Sequence, residues 1–211
     1  MNEDNIWYAS YGSNLLEKRF HCYIQGGQPE CSKTIYKGCS DKTLPKEREE
    51  IYIPTEIYFA KHSTSWNGGV AFIQTEFNAL FQTLGRMYLI NKGQFIDVIK
   101  QEIKYTGDLF LNFENIIHQK SYVFKQDSWY GNILYLGSKN NFPIFTFTQP
   151  SFNAEEINKP SPEYLRQIIK GIRETFCFDT QSIATYLMNK KGIHDNYTLE
   201  ELTNLINEAI K

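Results

Sequence analysis

The sequence predicts an α+β protein in which a small β-barrel with flanking helices is followed by C-terminal helices packed on it. Residues 51–147 contain several short apolar stretches separated by turns, a spacing typical of strands in a small barrel. Aromatic residues make up 15% of the chain, mostly Phe and Tyr, which favours a strand-rich core. After Pro150 the apolar residues change to helical spacing. The 211 residues are therefore expected to form one domain, 1–211, with the barrel in 1–150 and a helical segment in 160–211.

The N-terminal stretch 7–15 predicts a buried strand, a tight turn and the start of a helix that runs from 14 to about 20. Gly12 permits a positive φ, and Ser13 and Asn14 are residues that often cap helices. Unpaired N–H groups and the helix dipole at such a junction can bind an anion, a carboxylate included, or hold a developing oxyanion. The turn alone favours a plainer alternative, a capped helix without a binding role.

The rest of the barrel region is predicted from alternating apolar residues and turn signals. Residues 31–50 have few periodic apolar positions and are expected to form an irregular surface segment anchored by Tyr36. Strands are predicted at 51–60, with a break at Pro54, and at 70–75, 84–90, 116–124, 132–136 and 143–147. A turn at Asn140-Asn141 joins the last two strands, and a helix is predicted at 94–104.

Three C-terminal helices are predicted, two of them from capping signals. Ser161 and Pro162 suit the N-cap and the first helical position of one helix. A second helix is predicted at about 180–189. A third starts at Thr198, where Thr-Leu-Glu-Glu forms a capping box.

Glu102 is the candidate catalytic residue because it lies on or beside the apolar face of the predicted helix 94–104. It follows Val98 and Ile99 by four and three residues, which places the three side chains together. A carboxyl group inside a pocket has a raised pKa and can act as a base near neutral pH. Periodicity alone favours the alternative, an edge Glu that reaches water or pairs with Lys104 or Arg86.

Charge, hydropathy and cysteine content exclude several classes of protein. The net charge of −2 indicates no nucleic-acid-binding surface, and no apolar run approaches the roughly 20 residues that span a membrane. The acidic, polar start predicts no signal peptide, so a cytoplasmic location is expected. His21, Cys22, Cys31 and Cys39 cluster in the sequence, but their spacing matches no common zinc site. Free thiols and no metal site are therefore predicted.

Four short motifs resemble those of the gamma-glutamylcyclotransferase family. Residues 11–15, Tyr-Gly-Ser-Asn-Leu, resemble its signature loop after an N-terminal strand. Residues 66–71, Trp-Asn-Gly-Gly-Val-Ala, resemble its Trp-x-Gly-Gly-Ile-Ala strand start. Asn91-Lys92, followed by Gln101-Glu102, resembles the segment with the family's catalytic glutamate. Ser-Pro-Glu-Tyr at 161–164, with Gly171 after it, resembles its C-terminal helix start. The four motifs occur in family order over most of the chain.

The resemblance implies a small mixed β-barrel, no metal or organic cofactor, and release of 5-oxoproline from a gamma-glutamyl amine or amino acid. By position, Glu102 is then the general acid and base. The residues implied to bind the substrate are Tyr8, Ala9, Ser10, Tyr11, Gly12, Ser13, Asn14 and Tyr164. Two departures concern the pocket. Ile103 stands where the family tends to have glycine, and the segment before Trp66 is longer than in short members.

Two alternatives to this activity stay open at the level of sequence. One is a non-catalytic member of the same fold that binds a carboxylate ligand. The other is a cyclotransferase that acts on a gamma-glutamyl-protected biosynthetic intermediate, because a fold does not determine its substrate. The expected partner is a small gamma-glutamyl molecule, with no nucleic acid and no membrane, and the protein is expected to be a monomer or a homodimer.

Overall fold

The computed structural model describes residues 4–30 and 34–211 and has a six-stranded mixed sheet at its centre. The strands are β1 (Asn5–Ser10), β2 (Arg48–Ile53), β3 (Ile57–Ser63), β4 (Gly68–Ile73), β5 (Thr83–Asn91), β6 (Ser121–Val123), β7 (Asn132–Lys139) and β8 (Phe142–Thr148). The helices are α1 (Glu17–Gln25), α2 (Lys92–Glu102), α3 (Phe113–Gln119), α4 (Pro162–Phe176), α5 (Thr180–Met188) and α6 (Leu199–Ala209).

The strand order of the large sheet is β2-β5-β1-β8-β7-β6, and β3 and β4 form a separate two-stranded ribbon. β1 pairs parallel to β8 and antiparallel to β5, so the predicted mixed sheet is confirmed. The prediction of a barrel is wrong, because the described edge strands β2 and β6 do not pair and the sheet stays open. At one edge β6 has only three residues, and after β2 at the other edge the chain passes into β3 of the separate ribbon.

A turn at Pro54 divides the predicted strand 51–60 into β2 and β3, which belong to different sheets. Proline has no N–H for a strand ladder, which explains the break. The buried side chain of Thr55 fixes this turn by donating to the backbone oxygen of Gln74 at 2.8 Å. The ribbon is attached to β8 through Thr148, whose hydroxyl accepts from the Ile73 N–H and donates to the Ile73 oxygen.

Two local predictions differ from the structure. The helix expected from residue 14 begins as a 3₁₀ turn, Ser13–Leu15, and the α-helix α1 starts only at Glu17. The strand expected at 116–124 is helix α3 followed by the short β6. Asn112 caps α3 by accepting from the Asn115 N–H, a signal that the short apolar run around residue 116 concealed.

The C-terminal helices pack on the sheet as predicted. Ser161 accepts from the Tyr164 N–H at the start of α4, and Thr198 and Glu201 form the capping box of α6. One hydrophobic cluster contains Ala9 of β1, Ile168 of α4 and residues of α5 and α6. In residues 4–30 and 34–211, no helix is both long enough and apolar enough to cross a membrane.

Candidate active site

A cavity of about 570 Å³ opens where the end of β1, the last turn of α2 and the first turn of α4 meet. The turn after β1, the β3–β4 connection and the loop before β7 complete its wall. Most of the side chains that the resemblance assigned to substrate and catalysis line it. Those that do are Tyr8, Ser10, Tyr11, Gly12, Ser13, Asn14, Glu102 and Tyr164.

Ala9 is the exception among the predicted substrate-binding residues. Successive side chains of a strand point to opposite faces, so Ala9 faces away from its neighbours Tyr8 and Ser10. It is fully buried in the hydrophobic cluster beneath α4 and does not line the cavity.

Glu102 is the last residue of α2, and the helix directs it into the cavity. The capping box of Asn91 and Gln94 fixes the start of α2, while Phe95, Val98 and Ile99 bury its inner face. The sequence-level alternative of an ion pair with Arg86 is not realised, since Arg86 lies 3.2 Å from Glu174 instead.

Burial raises the pKa of the Glu102 carboxyl above the usual glutamate value, because the ionised form loses contact with water. A hydrogen bond from Tyr23, the charge of Arg19 and a hydrogen bond from Asn14 offset part of this effect on the pKa. Asn14 Nδ2 lies 3.3 Å from Glu102 Oε1. The structure therefore places a carboxyl suited to proton transfer beside the turn that follows β1.

Side-chain hydrogen bonds connect the turn to β5 and β8. Tyr88 of β5 donates to the backbone oxygen of Asn14 at 2.9 Å, and Tyr11 donates to the backbone oxygen of Phe147 in β8 at 2.8 Å. Gly12 has a φ of −102°, so the turn does not use the positive φ that glycine permits. Space explains the glycine instead: a Cβ there would lie 3.2 Å from the Tyr164 hydroxyl oxygen.

The Tyr164 hydroxyl connects the turn to the ribbon. Its oxygen accepts from the backbone N–H of Ala71 at 3.1 Å. The backbone N–H of Ser13 is among the groups that lower the pKa of this hydroxyl. Burial raises the pKa of Tyr164 to about 12, so the group stays protonated at neutral pH. Because its oxygen acts as an acceptor toward Ala71, its own O–H remains as a donor beside the cavity.

Arg19 is a residue of the cavity wall to which the sequence analysis assigned no role. It is only 3% exposed, and its Nε donates to Ser13 Oγ at 2.9 Å while Nη2 donates to Tyr36 at 3.0 Å. Its guanidinium carbon lies 4.8 Å from the centre of the Trp66 ring. Helical spacing was the sequence signal that could have identified Arg19. It precedes the buried Tyr23 by one turn of α1, so the two side chains lie on the same face of the helix. Tyr36 is a packing anchor as predicted: its ring packs at a tilt against that of Tyr23, with the ring centres 4.1 Å apart.

The predicted absence of zinc concerns residues that the structure describes only in part. Cys31 lies outside the described residues. Cys22 and Cys39 are free thiols, and Cys39 is buried. Among the described side chains, no group of three or more His, Cys, Asp or Glu residues is placed to hold a metal ion.

Comparison with known proteins finds a curated relative and several similar structures. No model of a known protein family matches the chain. Histone deacetylase 5 of Arabidopsis thaliana is 35% identical over 199 residues, which cover 87% of this chain and 30% of that protein. The chain thus spans less than a third of the length of this curated relative.

The two structures share the arrangement of the whole chain. A human protein described as uncharacterized is 15% identical, and a gamma-glutamyl cyclotransferase is 14% identical. Each has a TM-score of 0.51, and each match covers 97% of this chain and 99% of the other. The sequence resemblance is confirmed at the level of architecture: the chain has the gamma-glutamyl cyclotransferase fold.

Proposed function

We propose that this protein is a gamma-glutamyl cyclotransferase, which converts a gamma-glutamyl amine or amino acid into 5-oxoproline and the free amine. The observation that carries the proposal is the Glu102 carboxyl, partly buried in the cavity wall and hydrogen-bonded to Asn14 of the glycine turn. The shared fold with a gamma-glutamyl cyclotransferase supports it.

The proposed reaction needs one group that first accepts a proton and then returns it. Glu102 accepts a proton from the substrate's α-amine, whose nitrogen attacks the γ-carbonyl carbon and forms the new carbon–nitrogen bond. The tetrahedral intermediate collapses, the bond to the leaving amine breaks, and Glu102 donates the proton to that amine. No water is consumed. A carboxyl with a raised pKa suits both steps better than an ordinary one.

The cavity contributes by holding the substrate folded on itself. Attack within one molecule becomes fast when the amine and the carbonyl are held close. The conformational freedom of the substrate is then lost on binding and not in the transition state. The Tyr164 O–H, left as a donor beside the cavity, is the group we assign to contact the substrate. A donor aimed at the carbonyl oxygen stabilises the negative charge that develops there.

The test is an assay of the purified chain against gamma-glutamyl amino acids, gamma-glutamyl amines and glutathione, with 5-oxoproline as the readout. We expect turnover of at least one substrate and a loss of about 100-fold or more in Glu102→Gln. Glu114→Gln is the matched control, since Glu114 is exposed on α3 outside the cavity. A folded protein that forms no 5-oxoproline from any of these would contradict the proposal and favour a carboxylate-binding role.

A further inference from the structure

Two buried polar atoms of the cavity wall lack a hydrogen-bond partner among the described residues. They are Asn14 Oδ1, an acceptor, and Arg19 Nη1, a donor. Buried polar atoms are normally paired, and an unpaired one costs stability. The described part of the chain has two others, on Arg86 and Thr146, and neither of these residues lines the cavity. An acceptor and a donor left open in one cavity indicate a ligand with both complementary groups.

The charge of Arg19 has no carboxylate partner within ion-pair distance in residues 4–30 and 34–211. Its hydrogen bonds go to the neutral hydroxyls of Ser13 and Tyr36, and the ring of Trp66 covers its guanidinium. A buried guanidinium is stabilised most when a carboxylate pairs with it. The ligand group that Arg19 lacks is therefore an anion, and a carboxylate matches the geometry of a guanidinium.

Asn14 is oriented by Glu102. A carboxylate can only accept, so the amide nitrogen Nδ2 faces Glu102 and Oδ1 remains to accept from another group. An amine bound to Oδ1 lies beside the carboxyl that Nδ2 contacts. This is the position in which Glu102 takes a proton from the attacking amine of the proposed reaction.

We infer that Arg19 and Asn14 recognise the α-amino acid head of the gamma-glutamyl group, Arg19 through the α-carboxylate and Asn14 through the α-amine. The inference rests on the proposed function and narrows its substrate class. The substrate must carry a free α-carboxylate, so amides of 4-aminobutyrate, which have the amine and the γ-carbonyl without the carboxylate, are discriminated against. Arg19 is the specificity-determining residue.

The experiment compares two substrates that differ only in that carboxylate: the gamma-glutamyl amine turned over best in the panel and the 4-aminobutyryl amide of the same leaving amine. The products are 5-oxoproline and 2-pyrrolidinone, and uncatalysed cyclisation is subtracted. We expect kcat/KM of the natural chain to favour the gamma-glutamyl substrate by about 30-fold or more. In Arg19→Gln and Arg19→Lys this preference is expected to fall below about 10-fold, mainly because kcat/KM on the gamma-glutamyl substrate decreases.

Arg166→Gln is the matched control, because Arg166 lies outside the cavity on α4 and pairs with Glu208. It is expected to keep the full preference. The Arg19 variants could be folded and yet show an equal fall in kcat/KM on both substrates. Arg19 then only supports the turn or acts on Glu102, and the inference is wrong. A natural chain that is inactive on the whole panel contradicts the proposed function instead.

A second measurement needs no variant and remains decisive if Arg19 variants do not fold. L-5-oxoproline and its neutral amide, 5-oxoprolinamide, are compared as competitive inhibitors of the natural chain. We expect the acid to inhibit about 30-fold or more strongly than the amide. Equal inhibition by the two compounds overturns the assignment of Arg19 to the carboxylate.

Discussion

At the scale of single residues, the environment of Glu102 is consistent with its proposed role as a proton acceptor near neutral pH. Burial raises its pKa, and the partners that lower it, Tyr23, Arg19 and Asn14, offset this only in part. Asn14 and Tyr23 lower the pKa of Glu102 through hydrogen bonds, and Arg19 lowers it through the electrostatic effect of its charge. The sequence placed Glu102 on a helical face, but it could not show these partners, because Arg19 and Tyr23 come from a different helix.

The raised pKa predicts how activity depends on pH. Below the pKa of Glu102 the carboxyl is protonated and cannot accept the amine proton, so kcat/KM falls toward acid. We expect the midpoint of this acid limb to lie above the usual glutamate pKa. The measurement is kcat/KM from about pH 4 to pH 9. A limb centred at or below the usual glutamate value contradicts the burial of the reacting carboxyl.

The same burial predicts that Glu102→Gln stabilises the fold while it removes activity. Because the pKa of Glu102 is higher in the folded than in the unfolded chain, stability falls as pH rises through that interval. Glutamine is neutral, keeps the shape, and can still accept from Asn14 Nδ2. We expect its Tm to exceed that of the natural chain at about pH 8 and to match it at about pH 4. An unchanged or lower Tm at the higher pH is the contrary result.

At the scale of elements, the site depends on how α4 holds the turn after β1 against the ribbon. Tyr164→Phe removes the oxygen that accepts from the Ala71 N–H, leaving this buried donor without that acceptor. We expect a loss of about 1–3 kcal/mol in the free energy of unfolding, measured with urea, and reduced turnover. Tyr52→Phe, at a 44% exposed tyrosine, is the control and should unfold like the natural chain.

Elements with strong local signals could be predicted from the sequence. The cap at Ser161, the capping box at Thr198 and the turn at Asn140-Asn141, where both residues have positive φ, all occur in the structure. Predictions failed where the structure of a segment depends on tertiary contacts with distant parts of the chain. The open edges of the sheet and the separation of β3 from β2 depend on which strands meet, and a short apolar run around Ile116 is helical because of a cap outside it.

At the scale of the whole molecule, the cavity exists because the C-terminal helices approach the N-terminal turn closely. Gly171 of α4 makes this approach possible: a Cβ there would lie 2.5 Å from Leu15 Cβ and 2.6 Å from the Leu16 nitrogen. The residues after the turn and the helix that carries Tyr164 are therefore in backbone contact. Stability of the fold and geometry of the site depend on the same contact.

The variant Gly171→Ala distinguishes the effect of this close contact on stability from the effect of helix propensity. Alanine favours an α-helix over glycine by about 1 kcal/mol, so an uncrowded position would become more stable. At residue 171 the added methyl must push α4 away from the turn, so we expect lower stability, by about 1–3 kcal/mol, and reduced kcat/KM. Lys170→Ala, at the neighbouring position with a partly exposed side chain, is the control and should change neither strongly. A Gly171→Ala variant with unchanged urea midpoint and full turnover would show that the turn tolerates displacement of α4, which would contradict the dependence of the site on the C-terminal helices.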